Sequence, residues 1–168
     1  MSAQLQNGTP VPILVRAVDK AHIVGVYGST LIQIWRGAVA SEAAAQMNRI
    51  ARALLDSKSG AVSSLFVVER SSPPPGDEGR KEFAAFSRDL VSRMSIAVVV
   101  AEGGGFRGSL VRAVCVALTT LLPHTSKFKF VNDVALAGKL IEPHMAPGIG
   151  GAASLIAATD QLRQQIGS

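Results

Sequence analysis

The order of apolar segments along the chain limits its fold more strongly than any single motif. Three short β-prone runs come first, at Ile13 to Val18, Ile23 to Tyr27 and Leu31 to Trp35. Helical patterns then alternate with further apolar runs as far as residue 142. This order predicts an α/β fold in which a mixed sheet carries helices mainly on one side, with an added C-terminal helix.

The predicted helices differ in how apolar they are. The first starts near Ser41, which we interpret as its N-cap, and the fourth starts after a cap at Asn132 or Asp133. The third, from about residue 106 to residue 122, has few polar residues. A helix that is apolar on most sides should be covered on most sides, so we expect extensive packing there.

The length of 168 residues suits one domain with a full core. We divide the chain into a flexible lead at 1–11, a domain at 12–142, and a linker with a C-terminal helix at 143–168. One side of that last helix is apolar, and it is a plausible contact with a second subunit. The candidate contact residues are Leu155, Leu162 and Ile166.

The composition is apolar for a soluble monomer. Hydrophobic residues make up 48% and charged residues 17% of the chain, and the mean hydropathy is +0.30. Either a second subunit covers part of the surface, or the chain is simply rich in alanine and valine. The N-terminus lacks a signal pattern, and the longest apolar stretch is too short for a transmembrane segment. We therefore expect a cytoplasmic protein.

The net charge of +5 does not form a nucleic-acid-binding pattern. Lysine and arginine are scattered singly, and only Phe128 lies between closely spaced basic residues, Lys127 and Lys129. Nucleic-acid surfaces combine a concentrated basic face with stacking aromatics. We therefore expect no nucleic acid among the partners.

One glycine-rich segment resembles a phosphate-binding loop. Gly103, Gly104 and Gly105 precede Phe106-Arg107-Gly108 between a predicted strand and a helix. Bare backbone amides at a helix start attract anions, and Arg107 would add positive charge. A flexible turn is the alternative interpretation. A dinucleotide site is disfavoured because the segment follows the fifth strand rather than the first, and we predict no cofactor.

The carboxylates give little indication of catalysis. Glu69 and Glu102 end two predicted strands and could share one sheet edge, where they would either transfer protons or be merely solvated. No Ser-His-Asp order, P-loop or zinc signature is present. We therefore predict that the protein is not an enzyme.

Other reactive residue types are isolated. His22, His124 and His144 are far apart in sequence and lack metal-ligand spacing, so we predict no metal site. Cys115 lies in the most apolar helix, which favours packing over reactivity. As the single cysteine, it also excludes an intramolecular disulfide and fits a reducing compartment.

The clearest loop contains two serines followed by three prolines. Ser71 and Ser72 lie between a strand and a helix, where an added phosphate would change the charge of a surface loop. They are our candidates for a phospho-switch or a partner contact, although ordinary loop serines are the alternative interpretation.

The element order of residues 12–142 resembles the STAS-like superfamily, and within it bacterial proteins described as SpoIIAA-like or STAS/SEC14-like. The segments that carry the resemblance are IQIWRGAVASEAAAQM, SLFVVER and AVVVAEGGGFRGSLVRAVCVALTTLLPHTSKFKFVNDVALAGKL. The resemblance implies a non-enzymatic signalling domain that switches protein partners, with nucleotide or lipid binding in some relatives. Anti-sigma antagonists carry a phosphorylated Asp-Ser pair where this chain has Glu69 to Pro73, without that acid and with added prolines.

Two functions follow from the sequence. We expect a regulatory protein-interaction domain that works as a homodimer, with the loop from Ser71 to Gly76 and the third and C-terminal helices as contact regions. The alternative is a carrier that binds a lipid or an anionic metabolite near the Gly103 to Arg107 segment.

Overall fold

The computed structural model describes residues 12–120 and 124–167, without the side chains at positions 106, 107, 115, 118 and 119. The lead predicted at residues 1–11 lies outside this part of the chain. The strands within it are Ile13–Val18 (β1), His22–Tyr27 (β2), Thr30–Trp35 (β3), Ser63–Val68 (β4), Ile96–Ala101 (β5) and Phe128–Val131 (β6). The α-helices are Ser41–Ser57 (α1), Asp77–Asp89 (α2), Gly105–Thr120 (α3), Val134–Ile141 (α4) and Ala152–Arg163 (α5).

The strands form one mixed sheet in the order in which they occur along the chain. β1, β2 and β3 are antiparallel neighbours, whereas β3 to β6 are parallel neighbours. Each parallel step therefore needs a crossover, and α1, α2 and α3 supply the three connections. Because crossovers are right-handed and the strand order advances in one direction, these helices lie on the same face of the sheet.

Each face of the sheet has its own hydrophobic core. On one face, Val24 and Phe66 pack with Met47 of α1 and Phe86 of α2. On the other, residues of the same strands pack with α4 and α5. The predicted α/β class, mixed sheet and C-terminal helix are confirmed, and the second layer is formed by α4 together with α5.

The local signals for helix starts are partly confirmed. The carboxylate of Asp133 accepts a hydrogen bond of 2.7 Å from the backbone N–H of Leu136, as an N-cap should. Ser41, in contrast, is the first residue of α1, and Ala40 is its N-cap without a side-chain hydrogen bond. The backbone carbonyl of Ala40 already accepts from the backbone N–H of Ala44, so the cap and the helix both begin one residue earlier than we predicted.

The third helix is less covered than its composition predicts. Among its described side chains, Val111 is the one that is buried, and Leu110 and Val116 are each 38% exposed. The reason is geometric: the described contacts of α3 are mainly with α2, β5 and β6, and Leu110, Ala113 and Val116 stay exposed. Within the described part of this chain, the cover predicted for most sides of the helix is therefore incomplete.

The C-terminal helix packs on its own domain. Leu155 and Leu162 are fully buried, and Ile166 is 5% exposed, all within the core beneath α4 and α5. The Leu162 methyl groups lie 2.9 Å from the point where a Cβ on Gly25 would stand. The proposed subunit contact through these three side chains is therefore corrected: they cover the second face of their own sheet, which would otherwise be exposed.

Candidate functional site

The carboxyl ends of three neighbouring strands meet at one edge of the sheet. Arg36 follows β3, Glu69 follows β4 and Glu102 follows β5. The strand ladder continues through these ends, because the backbone N–H of Glu69 donates to the backbone carbonyl of Trp35 (2.9 Å). The parallel register therefore places one basic and two acidic side chains side by side, at the edge where α/β domains commonly bind ligands.

Arg36 joins the sheet edge to the C-terminal segment. Its Nε and Nη2 donate to the two carboxylate oxygens of Glu69, at 2.6 and 3.2 Å. The remaining guanidinium hydrogens reach the backbone carbonyls of Ile166 (2.9 Å) and Arg163 (3.2 Å). The hydrogen bonding to Glu69 raises the pKa of Arg36 above its ordinary value, although burial opposes this effect.

Glu102 has its own arginine. Both Nη1 and Nη2 of Arg163, in the last turn of α5, donate to the Glu102 carboxylate, and each side chain is 24% exposed. Glu69 and Glu102 do share a sheet edge, as expected. Because each is held by a guanidinium, proton transfer by either would require an ion pair to break.

An open cleft of about 510 Å³ lies beside these ion pairs. It is bounded by the ends of β4 and β5 and by the first turn of α3, and its walls include Glu69, Arg70, Glu102, Gly103 and Gly108. The Arg70 side chain is exposed and makes no ion pair with the described residues. The cleft therefore combines one unpaired cation with a helix start, a pairing that suits an anion.

The glycine motif has a structural reason at three of its positions. Gly103 and Gly105 adopt φ values of +98° and +77°, a backbone region that other residues rarely occupy. At Gly108, a Cβ would stand only 2.2 Å from the backbone oxygen of Gly103. Gly104 lies between them in open space. The Arg107 side chain, our predicted anion ligand, lies outside the described residues.

The two loop serines hold the β4–α2 connection against the end of β3. The exposed Ser71 hydroxyl donates to the Arg36 carbonyl (2.8 Å), and the buried Ser72 hydroxyl donates to the Gly37 carbonyl (2.9 Å). Pro73 and Pro75 line a small apolar pocket of about 50 Å³, together with Trp35 and Phe83. Of the two predicted phospho-switch residues, Ser71 alone has an accessible position.

His22, Lys127 and Phe128, which belong to no functional motif in the sequence, make structural contacts in the fold. His22 is buried, stacks on Trp35 at 4.9 Å, and lies 2.7 Å from the Asp19 carboxylate. In residues 12–120 and 124–167, no cluster of three potential metal ligands is found. The Lys127 ammonium group donates to two backbone carbonyls, and the neighbouring Phe128 is buried. The Cys115 side chain lies outside the described residues.

The two arginines of this edge were not among the residues predicted from the sequence. Arg36 and Arg163 are 33 and 61 residues from the glutamates that they bind. Arg36 was detectable in principle, since it follows β3 just as Glu69 follows β4 and the two strands are neighbours. Arg163 was not detectable, because its place depends on how α5 packs.

Comparison of the chain with protein-family models, curated proteins and solved structures found no match. Across the described residues, none of the helices has both the length and the apolar character that crossing a membrane requires.

Proposed function

We propose that this chain is a non-enzymatic, regulatory protein-interaction domain of the cytoplasm, and that it forms a homodimer through α3. The observation that carries this proposal is the exposed apolar outer side of α3. A helix of this composition is stable in water when most of its surface is covered, and the chain itself covers one side. A second subunit supplies the missing cover.

The outer side of α3 is shaped for close helix packing. Ser109, Ala113 and Ala117 recur at four-residue spacing and are exposed, so they form a shallow stripe along the helix. Leu110 and Val116 rise on its two flanks. Small residues between larger ones allow two helices to approach closely.

The same surface is complementary to itself. Leu110 and Val116 lie three residues on either side of Ala113. A two-fold axis through Ala113 would pair α3 with an antiparallel copy, placing Leu110 level with Val116 of the partner subunit. The two side chains would then lie on opposite flanks of the stripe and fill it without collision.

The regulatory part of the proposal comes from the resemblance of residues 12–142 to STAS-like domains, which are partner-switching modules. Two structural features support a non-enzymatic role. Glu69 and Glu102 are both held in ion pairs with arginine, and the sheet edge contains no nucleophile paired with a base among the described residues.

The experiment is a charge placed in the centre of the stripe. Ala113→Glu should shift the protein from dimer to monomer in sedimentation equilibrium, because the contact would bury an unpaired carboxylate. Leu136→Glu is the matched control, since Leu136 is 43% exposed on α4. Equal masses for the wild type and Ala113→Glu would contradict the α3 contact, provided that circular dichroism shows both variants folded.

A second candidate function, a small-molecule carrier, is favoured by the cleft of about 510 Å³ beside Arg70. Its ligand would be an anionic metabolite or a lipid headgroup bound at the first turn of α3. Native mass spectrometry of gently purified protein should then show a bound small molecule that Arg70→Ala releases and Lys139→Ala retains. The absence of any bound mass, together with no stabilisation by added inorganic phosphate, would contradict the carrier function.

A further inference from the structure

The first strand is unusually exposed for a strand of this sheet. β1 is an edge strand, and in the described residues nothing pairs with its outer backbone groups. Leu14, Val15 and Val18 are 46%, 39% and 53% exposed, whereas β2, β3 and β5 are buried throughout. An apolar edge with free N–H and C=O groups is a template for another strand.

The exposed side chains project from both faces of the sheet. Leu14 pairs with Val26, whose side chain belongs to the core beneath α1. Val18 pairs with Ile23, which belongs to the core beneath α5. A helix laid on one face would cover one of these positions and leave the other exposed. A strand added alongside β1 borders both faces at once.

Two cations along this edge make no ion pair with the described residues, and they outnumber its one carboxylate, Asp19. Arg16 lies at a β-bulge between Val15 and Ala17, and Lys20 lies in the turn that follows β1. Both are exposed and make no ion pair with the described residues, while the nearby Asp19 carboxylate contacts His22. An acidic segment would therefore complement this edge.

The charges also decide between possible occupants. A second copy of β1 in antiparallel pairing would bring two Arg16 side chains close together, and like charges across a strand pair are destabilising. Residues 1–11 of this chain contain no acidic residue to pair with Arg16 and Lys20. Charge complementarity therefore selects a segment of another protein.

We infer that β1 accepts an added strand from a partner protein, an extended segment that combines apolar residues with aspartate or glutamate. Backbone hydrogen bonds to the outer edge of β1 would supply affinity, and Arg16 with Lys20 would supply selectivity. This surface is separate from the α3 stripe, so the inference goes beyond the proposed homodimer and does not depend on it.

The test uses two synthetic peptides of the same design, one combining valine with glutamate and the other combining valine with lysine at the same positions. The glutamate peptide should bind in fluorescence anisotropy and should slow hydrogen exchange of the amides at residues 13–18. Arg16→Glu should weaken its binding by about tenfold or more. Lys139→Glu, an equal charge change on α4, should alter it by less than about twofold.

Several results would overturn the inference. They are an absence of binding by the glutamate peptide, equal binding of the lysine peptide, equal loss in Arg16→Glu and Lys139→Glu, and slowed exchange at α3 instead of β1. A dimer whose β1 amides are protected without peptide would identify a second copy as the occupant and would also overturn it. A protein that is monomeric and still binds the glutamate peptide at β1 would contradict the α3 homodimer and leave this inference standing.

Discussion

At the residue scale, Gly108 has the tightest steric requirement in the glycine motif. Its Cα–H faces the backbone oxygen of Gly103, and a methyl group there would approach to 2.2 Å. Gly108→Ala should therefore lower the free energy of unfolding by about 1–3 kcal/mol, because backbone rather than a flexible side chain must move. Urea unfolding followed by circular dichroism measures this change.

Gly104→Ala is the control for that substitution. Nothing lies within 4 Å of a Cβ at Gly104, so its free energy of unfolding should change by no more than about 0.5 kcal/mol. Equal effects of the two substitutions would mean that the motif is merely a flexible turn, with no close contact at Gly108.

Asp19 makes the first hairpin sensitive to acid. Burial raises the pKa of its carboxyl, but hydrogen bonds from the backbone N–H groups of Ala21 and His22 and the contact with the His22 ring outweigh burial and lower it overall. A carboxyl whose pKa is lower in the folded state stabilises the fold above its unfolded pKa near about pH 4. That contribution is lost as the pH falls through the folded pKa.

The expected result is a loss of stability below about pH 4 that Asp19→Asn does not share, because an amide does not titrate there. Urea unfolding of both proteins between neutral pH and pH 3 measures the difference. Parallel pH profiles for the wild type and Asp19→Asn would show that this carboxyl has the same pKa folded and unfolded.

At the element scale, Arg36 connects β3, β4 and the end of α5. Arg36→Ala would remove two backbone-carbonyl contacts and leave the Glu69 carboxylate, 12% exposed, without its cation. We expect a loss of about 1.5–3 kcal/mol in the free energy of unfolding, and faster hydrogen exchange in α5.

The matched control is Arg88→Ala, which breaks an exposed ion pair with Asp89 on α2. Because exposed pairs contribute little, its cost should stay below about 1 kcal/mol. If Arg36→Ala were as mild as Arg88→Ala and left exchange in α5 unchanged, the sheet edge would not hold the C-terminal segment.

The sequence predicts elements better than it predicts which surfaces meet. β1 has the predicted bounds, because alternating apolar runs and turn residues are local signals. The apolar side of α5 was as evident in the sequence as the β1 strand. Periodicity alone, however, does not say whether the sheet of the same chain or another subunit covers that side. The pair of Arg163 with Glu102 depends on how α5 packs, which a single sequence does not contain.

At the scale of the whole molecule, most acidic groups have partners, whereas the exposed large apolar side chains are concentrated on two surfaces. Among the described residues, most carboxylates are engaged in ion pairs or hydrogen bonds, including Glu69, Glu102 and Asp133. Basic side chains such as Arg16, Arg70 and Arg112 are exposed and make no ion pair with the described residues, which locates part of the net charge of +5 at the surface. The exposed large apolar side chains lie mainly on α3 and β1, the two surfaces proposed for partners.

The most direct test of the central proposal is the solution mass of the wild-type protein, measured by sedimentation equilibrium over a range of concentrations. We predict twice the chain mass of 17.5 kDa, falling to the chain mass in Ala113→Glu and unchanged in Leu136→Glu. A wild-type mass of 17.5 kDa at every concentration would contradict the homodimer.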